Sequence, residues 1–200
     1  MDYQKQIVEF LSKPENLSIA VEVSKNMEAL RKKFHKSFWE DITEALKIWI
    51  KDSNYSDRWF VECEDEYDLD YKSCMISIKN IPKNYEGLYL SLSLTQDPQR
   101  YKYRLHYGLV WNKECKTTPI SNFYKQIINK SNEAGFPASK GNIWWPTLSF
   151  LDIYLRSDEF LLQYGLGKAE FLNGLSERIW AYFEVIEPEL YQFNKELIHV

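Results

Sequence analysis

SKPENLSIAVEVSKNMEALRKKFHKSFWEDITEALKIWI, residues 12–50, is the stretch that decides how the fold begins. Ser12-Lys13-Pro14-Glu15 has the S-x-x-E form of a capping box, with Pro14 in a first turn where its missing N–H does no harm. Downstream, Val23, Met27, Leu30, Phe34, Phe38, Ile42, Ala45 and Trp49 recur at alternating spacings of three and four. That rhythm puts them on one face of an amphipathic helix of about 27 residues. Lys25, Glu28, Arg31, Lys32, Lys36, Glu40, Asp41, Glu44 and Lys47 occupy the other face. The stretch therefore predicts a capped helix running into a second, very long one.

Outward from it, the chain reads as a helix-led α+β domain spanning residues 1–200: helical over 2–52, a β-meander over 74–111, and helical with one extended segment over 119–198. Asp2 to Leu11 is a short helix, and Asp52-Ser53-Asn54 is a polar stop for the long one. Residues 75–78, 88–94 and 103–111 alternate with period two, and turn chemistry joins them, which predicts an antiparallel meander. Leu88, Leu90, Leu92 and Leu94 form its apolar face, while Ser91 and Ser93 mark the other. Pro119 to Glu133 is helical, and Ile143-Trp144-Trp145-Pro146 reads as extended because residues before proline avoid the helical region. Leu148 to Tyr164 and Lys168 to Ile186 read as helices, with Pro188 opening a last short one.

The chain of 200 residues is long enough to bury roughly 70% of its unfolded surface without disulfide or metal staples. Its 7 Trp, 14 Tyr and 11 Phe are a heavy aromatic load, suited to a large core, an adhesive surface or both. A net charge of −4 weighs against broad binding to nucleic acid or anionic membranes, and leaves a local basic patch possible. No apolar run approaches the ~20 residues of a membrane helix. Met1-Asp2-Tyr3-Gln4 lacks the basic start and apolar core of a signal peptide. Cys63, Cys74 and Cys115 are odd in number and widely spaced, and read as reduced thiols of a cytoplasmic protein.

Two groups are candidate contact surfaces for a protein partner. The first is the acidic run Glu62, Glu64, Asp65, Glu66, Asp68 and Asp70, read as a loop before the sheet. Its readings are a solvated loop, an acidic surface for a basic partner, or a divalent-cation site, although the spacing matches no EF-hand loop. The second is Trp144 and Trp145, either a core wedge or a stacking and hot-spot surface. Lys25, Arg31, Lys32, Lys33 and Lys36 form the alternative, a nucleic-acid-binding face, interleaved with Glu28 and Glu40 as an ordinary charged helix face would be. Asp70-Tyr71-Lys72 matches a D-x-K nuclease half-motif, but it precedes a strand rather than lying on a buried one, where metal chemistry needs it. His35, His106 and His199 are far apart, with His35 on the polar side of the long helix. No catalytic residue, cofactor or metal ligand is expected from these patterns.

The order of Phe10-Leu11-Ser12-Lys13-Pro14-Glu15-Asn16-Leu17, Ala20-Val21-Glu22-Val23-Ser24, the Phe38-Trp39-Glu40-Asp41 helix, Tyr107-Gly108 and Trp144-Trp145-Pro146 resembles the non-catalytic C-terminal module of bacterial and phage proteins of the PD-(D/E)XK nuclease superfamily. In that arrangement the nuclease half, with its buried-strand acids and lysine, would lie ahead of Met1. The resemblance implies a fold and a setting in nuclease, defence or counter-defence biology, without nuclease activity. The expectation is a non-enzymatic interaction module that binds a nuclease or defence protein. The alternatives are an accessory nucleic-acid-binding domain, an acidic inhibitor of a basic nucleic-acid-binding protein, and a cryptic metal-dependent nuclease.

Overall fold

The computed structural model describes residues 3–64, 75–81, 85–96, 103–117, 119–139 and 142–198. Helix α1 (Tyr3–Leu11) leads through a 3₁₀ turn (Pro14–Asn16) into α2 (Leu17–Asp52), a single helix of 36 residues. Five strands follow, β1 (Phe60–Glu64), β2 (Met75–Lys79), β3 (Leu90–Gln96), β4 (Arg104–Trp111) and β5 (Ser149–Tyr154), paired antiparallel in sequence order. Helix α3 (Asn122–Glu133) lies between β4 and β5; α4 (Asp158–Leu166) and α5 (Lys168–Ile198) close the chain. The α+β architecture expected from the sequence is present.

Alternation builds the sheet. β3 reads Leu-Ser-Leu-Ser-Leu-Thr-Gln, and its pairing with β2 and β4 sets Ile76 beside Leu94, Ile78 beside Leu92, and Leu92 beside Leu109. This face meets Phe38, Trp39, Ile42 and Leu46 of α2 and Leu175, Ile179, Phe183, Ile186, Leu190 and Phe193 of α5 in one buried cluster. The opposite face is buried too: Ser77 Oγ and Ser93 Oγ lie 2.7 Å apart, and the His106 ring packs against Trp145 and Phe150.

Three polar anchors fix α5 on the sheet. Asn194, fully buried, accepts from Leu90 N–H (3.0 Å) and donates to Leu90 C=O (2.8 Å), standing in for a neighbouring strand at the start of β3. Glu187, also buried, accepts from Trp59 Nε1–H (2.7 Å) and pairs with Arg58 (3.1 Å). Tyr182 Oη lies within hydrogen-bond distance of Ser131 and Thr147, tying α5 to α3 and to the segment before β5. The Thr147 backbone then passes so close to β4 that a Cβ on Gly108 would sit 2.3 Å from its carbonyl oxygen.

Several sequence expectations are corrected. Ser12 makes no capping box: its hydroxyl bonds back to Val8 C=O (2.6 Å), so it finishes α1 instead of starting the next helix. Glu62 and Glu64 are not in a loop; Phe60-Val61-Glu62-Cys63-Glu64 alternates and pairs with β2 as an edge strand. Residues 65–70 of the acidic run lie outside the described residues. The helix expected over Leu148–Tyr164 is strand β5 followed by α4, because Leu151 alone of 149–154 is fully buried and Ser157 caps the new helix by accepting from Phe160 N–H. Ile143–Pro146 is irregular, although Trp144 and Ile143 carbonyls accept from Trp111 and Cys115. Pro188 starts no new helix: it sits inside α5, whose flanking Ile186 and Leu190 are buried and carry the helix through. His35 is buried, its Nε2–H donating to Gln96 Oε1 (2.9 Å), and is not on the polar face.

Gly108→Ala is expected to lose about 1–3 kcal/mol in urea melts, since backbone must move to admit the methyl group. Gly174→Ala, in α5 with open space around it, should gain about 0.5–1 kcal/mol. Burial holds the His35 imidazole below its ordinary pKa of 6.5. The folded state therefore takes this proton less readily than the unfolded chain, and stability falls as pH drops below 6.5. Melts compared between about pH 7.5 and 5.5 should show a flatter profile for His35→Gln than for wild type.

Candidate functional site

Helix α2 changes surroundings partway along. From His35 to Ile50, residues His35, Phe38, Trp39, Ile42, Thr43, Leu46 and Ile50 are buried, following a helical stripe against the sheet and α5. Phe34 and Phe38 meet Tyr164 and Phe160 of α4 edge-on, at 5.6 Å each. Asp41 accepts from Tyr164 Oη and pairs with Lys168 at 2.5 Å. The same contact, with burial, raises the Tyr164 pKa. One turn above Phe34 the helix leaves this cover: Arg31 meets Asp158 (2.6 Å) and Glu28 meets Arg156 (2.8 Å), both at its boundary with the body.

N-terminal to that boundary, apolar side chains face solvent. Ile7, Val8 and Phe10 of α1 and Leu17, Ile19, Val21, Val23 and Leu30 of α2 are 36–62% exposed. The turn joining the two helices is ordered by Asn16 Nδ2 donating to Phe10 C=O (2.9 Å). The long stripe read from the sequence is thus two stripes. Its body half is buried, shifted so that Leu46 and Ile50 are buried where Ala45 and Trp49 are half-buried; Val23 and Leu30 are exposed. Leu17, Ile19, Ala20, Val21 and Val23 spread over somewhat more than half of the helix circumference, with Ser18, Glu22 and Lys25 on the remaining side. An amphipathic helix normally turns such an arc toward a core, whereas here it stays exposed. Helices α1 and the first half of α2 form an arm with nothing in the chain's described residues to cover it.

The residues singled out from sequence fall in different places. Glu62 is in an ion pair with Lys79 across β1 and β2, and burial lowers the lysine's pKa. Trp145 is half-buried against His106, and Trp144 is exposed; both backbone N–H groups donate to Asn142 Oδ1. Of the basic group, Arg31 pairs with Asp158 and Glu28, Lys36 with Glu40 (3.7 Å), and Lys25 and Lys33 are exposed on the arm. Glu62, the tryptophans and the arm are therefore in separate places, while the basic group lies on the arm's base. What sequence reasoning missed is Leu17, Ile19 and Val21: Ile19, four residues before Val23, continues the stripe, while Leu17 and Val21 widen it.

Other surfaces are less complete. A groove of about 470 Å³ runs between β5 and α4–α5, lined by Phe150, Asp152, Gln163, Glu170, Phe171 and Arg178. Burial pushes the Cys115 thiol above its ordinary pKa, away from the nucleophilic thiolate. Among the described residues, no group of three or more His, Cys, Asp or Glu side chains could hold a metal ion, and no helix is long and apolar enough to cross a membrane. No protein-family model, curated protein or solved structure matches the chain.

Because the arm's apolar residues make few contacts within the chain, Leu17→Ser or Val23→Ser should cost less than about 0.5 kcal/mol in urea melts. Phe38→Ala, at a fully buried ring touching four aromatics, should cost about 3–5 kcal/mol.

Proposed function

We propose that this chain is a non-enzymatic protein-interaction module whose contact surface is the N-terminal arm. The observation that carries the reading is the row of eight large apolar side chains left open on α1 and the first half of α2. Water contact at these groups is unfavourable at about 25 cal/mol per Å². Covering them with a protein partner is the change that rewards their placement on a rigid helix, in the manner of amphipathic helices that dock through apolar anchors. Lys25 and Lys33 flank the arm and supply charge that tunes partner choice rather than affinity. The sequence resemblance directs the search to nucleases and defence proteins of a bacterial or phage cytoplasm.

The test captures proteins from the native host on immobilised full-length chain, with a Leu17→Ser/Val21→Glu variant alongside. A partner retained by wild type and lost by the variant, with equal melting temperatures, is the expected result. Equal capture by both would overturn the arm as the contact. The purified chain is also expected to leave DNA and RNA intact with Mg²⁺ or Mn²⁺; cleavage abolished by Asp70→Ala or Lys72→Ala would overturn the non-enzymatic reading.

A further inference from the structure

We infer that the arm pairs with the arm of a second copy of this chain, side by side and antiparallel. The inference rests on the reading of the arm as a contact surface and names its occupant.

Continuity along α2 comes first. From Phe34 onward, α4 covers the face of α2 that carries Phe34, Phe38 and Asp41. The earlier residues of that same helical face are Val23, Met27 and Leu30, spaced four and three. α4 stops being available at its first residue, where Asp158 meets Arg31. Val23 and Leu30 on this face therefore lack the cover that α4 gives Phe34 and Phe38, and both are exposed. The 3–4 spacing is the seam that helix pairs use.

Area is the second argument. The exposed fractions of the eight apolar residues add up to about four fully exposed side chains, or roughly 700 Å² per copy, close to the ~800 Å² per partner of a standard stable interface. Monomeric proteins rarely leave a contiguous apolar patch larger than about 300–600 Å² open.

Charge selects both the partner and its direction. Over residues 3–24 the arm carries Lys5 and Lys13 against Glu9, Glu15 and Glu22, and over 25–36 it carries Lys25, Arg31, Lys32, Lys33 and Lys36 against Glu28. Arg31 meets Asp158 and Lys36 meets Glu40 within the same copy, so the exposed cations that give the base its positive side are Lys25 and Lys33, while the tip is weakly acidic. Parallel pairing would set base against base and repel, whereas antiparallel pairing sets tip against base. Glu22 and Lys33 are eleven residues apart, about three turns, and so lie on the same side of the helix. In the antiparallel pair, Glu22 of each copy flanks Lys33 of the other.

Sedimentation velocity on the purified full-length chain tests this directly. Wild type is expected to be a dimer at about 10 μM, and Val23→Glu/Leu30→Glu a folded monomer by circular dichroism whose melting temperature no longer depends on protein concentration, because both positions are exposed. Glu22→Lys and Lys33→Glu should each weaken the dimer by about fivefold at low salt, two symmetric pairs being affected, and the double exchange should restore it. Wild type that is monomeric at about 100 μM would overturn self-pairing. So would a dimer that survives Val23→Glu/Leu30→Glu, since its contacts would lie elsewhere. Single exchanges without effect, or a double exchange that fails to restore the dimer, would overturn the antiparallel arrangement. A monomeric wild type whose captured host partner still depends on Leu17 and Val21 overturns the self-pairing alone. Loss of both dependences overturns the arm as a contact surface altogether.

Discussion

Helix α2 is a rod longer than the body it belongs to. Its 36 residues span about 54 Å, whereas a folded chain of 200 residues has a radius of gyration near 16 Å and hence a diameter near 40 Å. The described body leaves part of this rod uncovered. The body takes the C-terminal half, where Phe38, Trp39, Ile42 and Leu46 are essentially inaccessible. The N-terminal half is left outside, with its apolar residues exposed. Glu28–Arg156 and Arg31–Asp158 stand at the crossing, charged pairs where the helix passes from a dry to a wet environment.

The body is held to α2 and the sheet by a helix with its own polar fixings. A proline inside α5 removes one backbone donor and would ordinarily bend or stop a helix. Here Glu187 immediately before it is bonded to Trp59 and paired with Arg58, and Asn194 beyond it is locked onto the Leu90 backbone. Each buried polar atom in these fixings is matched, so truncating one partner strands the other in a dry core, which costs more than the bond contributes. The two contacts bracket Pro188 and fix α5 on both sides of it. They also orient Phe183, Ile186, Leu190 and Phe193 toward the strands.

Period was the legible part of the sequence. The Leu-Ser alternation at 90–94 and the 3–4 spacing from Phe34 onward each pointed to one element and one face, and both elements formed. The misreadings share a cause. Ser149–Tyr154 alternates over only six residues before Ser157 caps a helix, and a longer helical window absorbs so short a strand. Phe60–Glu64 was masked by its glutamates, which an edge strand tolerates because one side of it meets water. Propensity alone places a boundary at Pro188, because it sees the missing N–H and not the burial on either side. Ser12 fitted a capping box by spacing, but Pro14 holds the next turn as 3₁₀ and the hydroxyl finds Val8 instead.

The candidate site was legible only as an inconsistency. A stripe from Val23 to Trp49 describes an amphipathic helix, yet Ile19 continues it, Leu17 and Val21 fall beside it, and all three are exposed. A helix that needs one covered face has no use for Leu17 and Val21. Local pattern could not separate the half of α2 that α4 and α5 cover from the half they do not, because both carry the same spacing; only the placement of Asp158 against Arg31 ends the cover. The arm's exposed residues contribute little to the body's stability, and the buried half of α2 is fixed independently by His35, Asp41 and its aromatic contacts. Selection for a contact surface can therefore act on residues 7–30 without disturbing the fold, an independence that a site built into the core would lack.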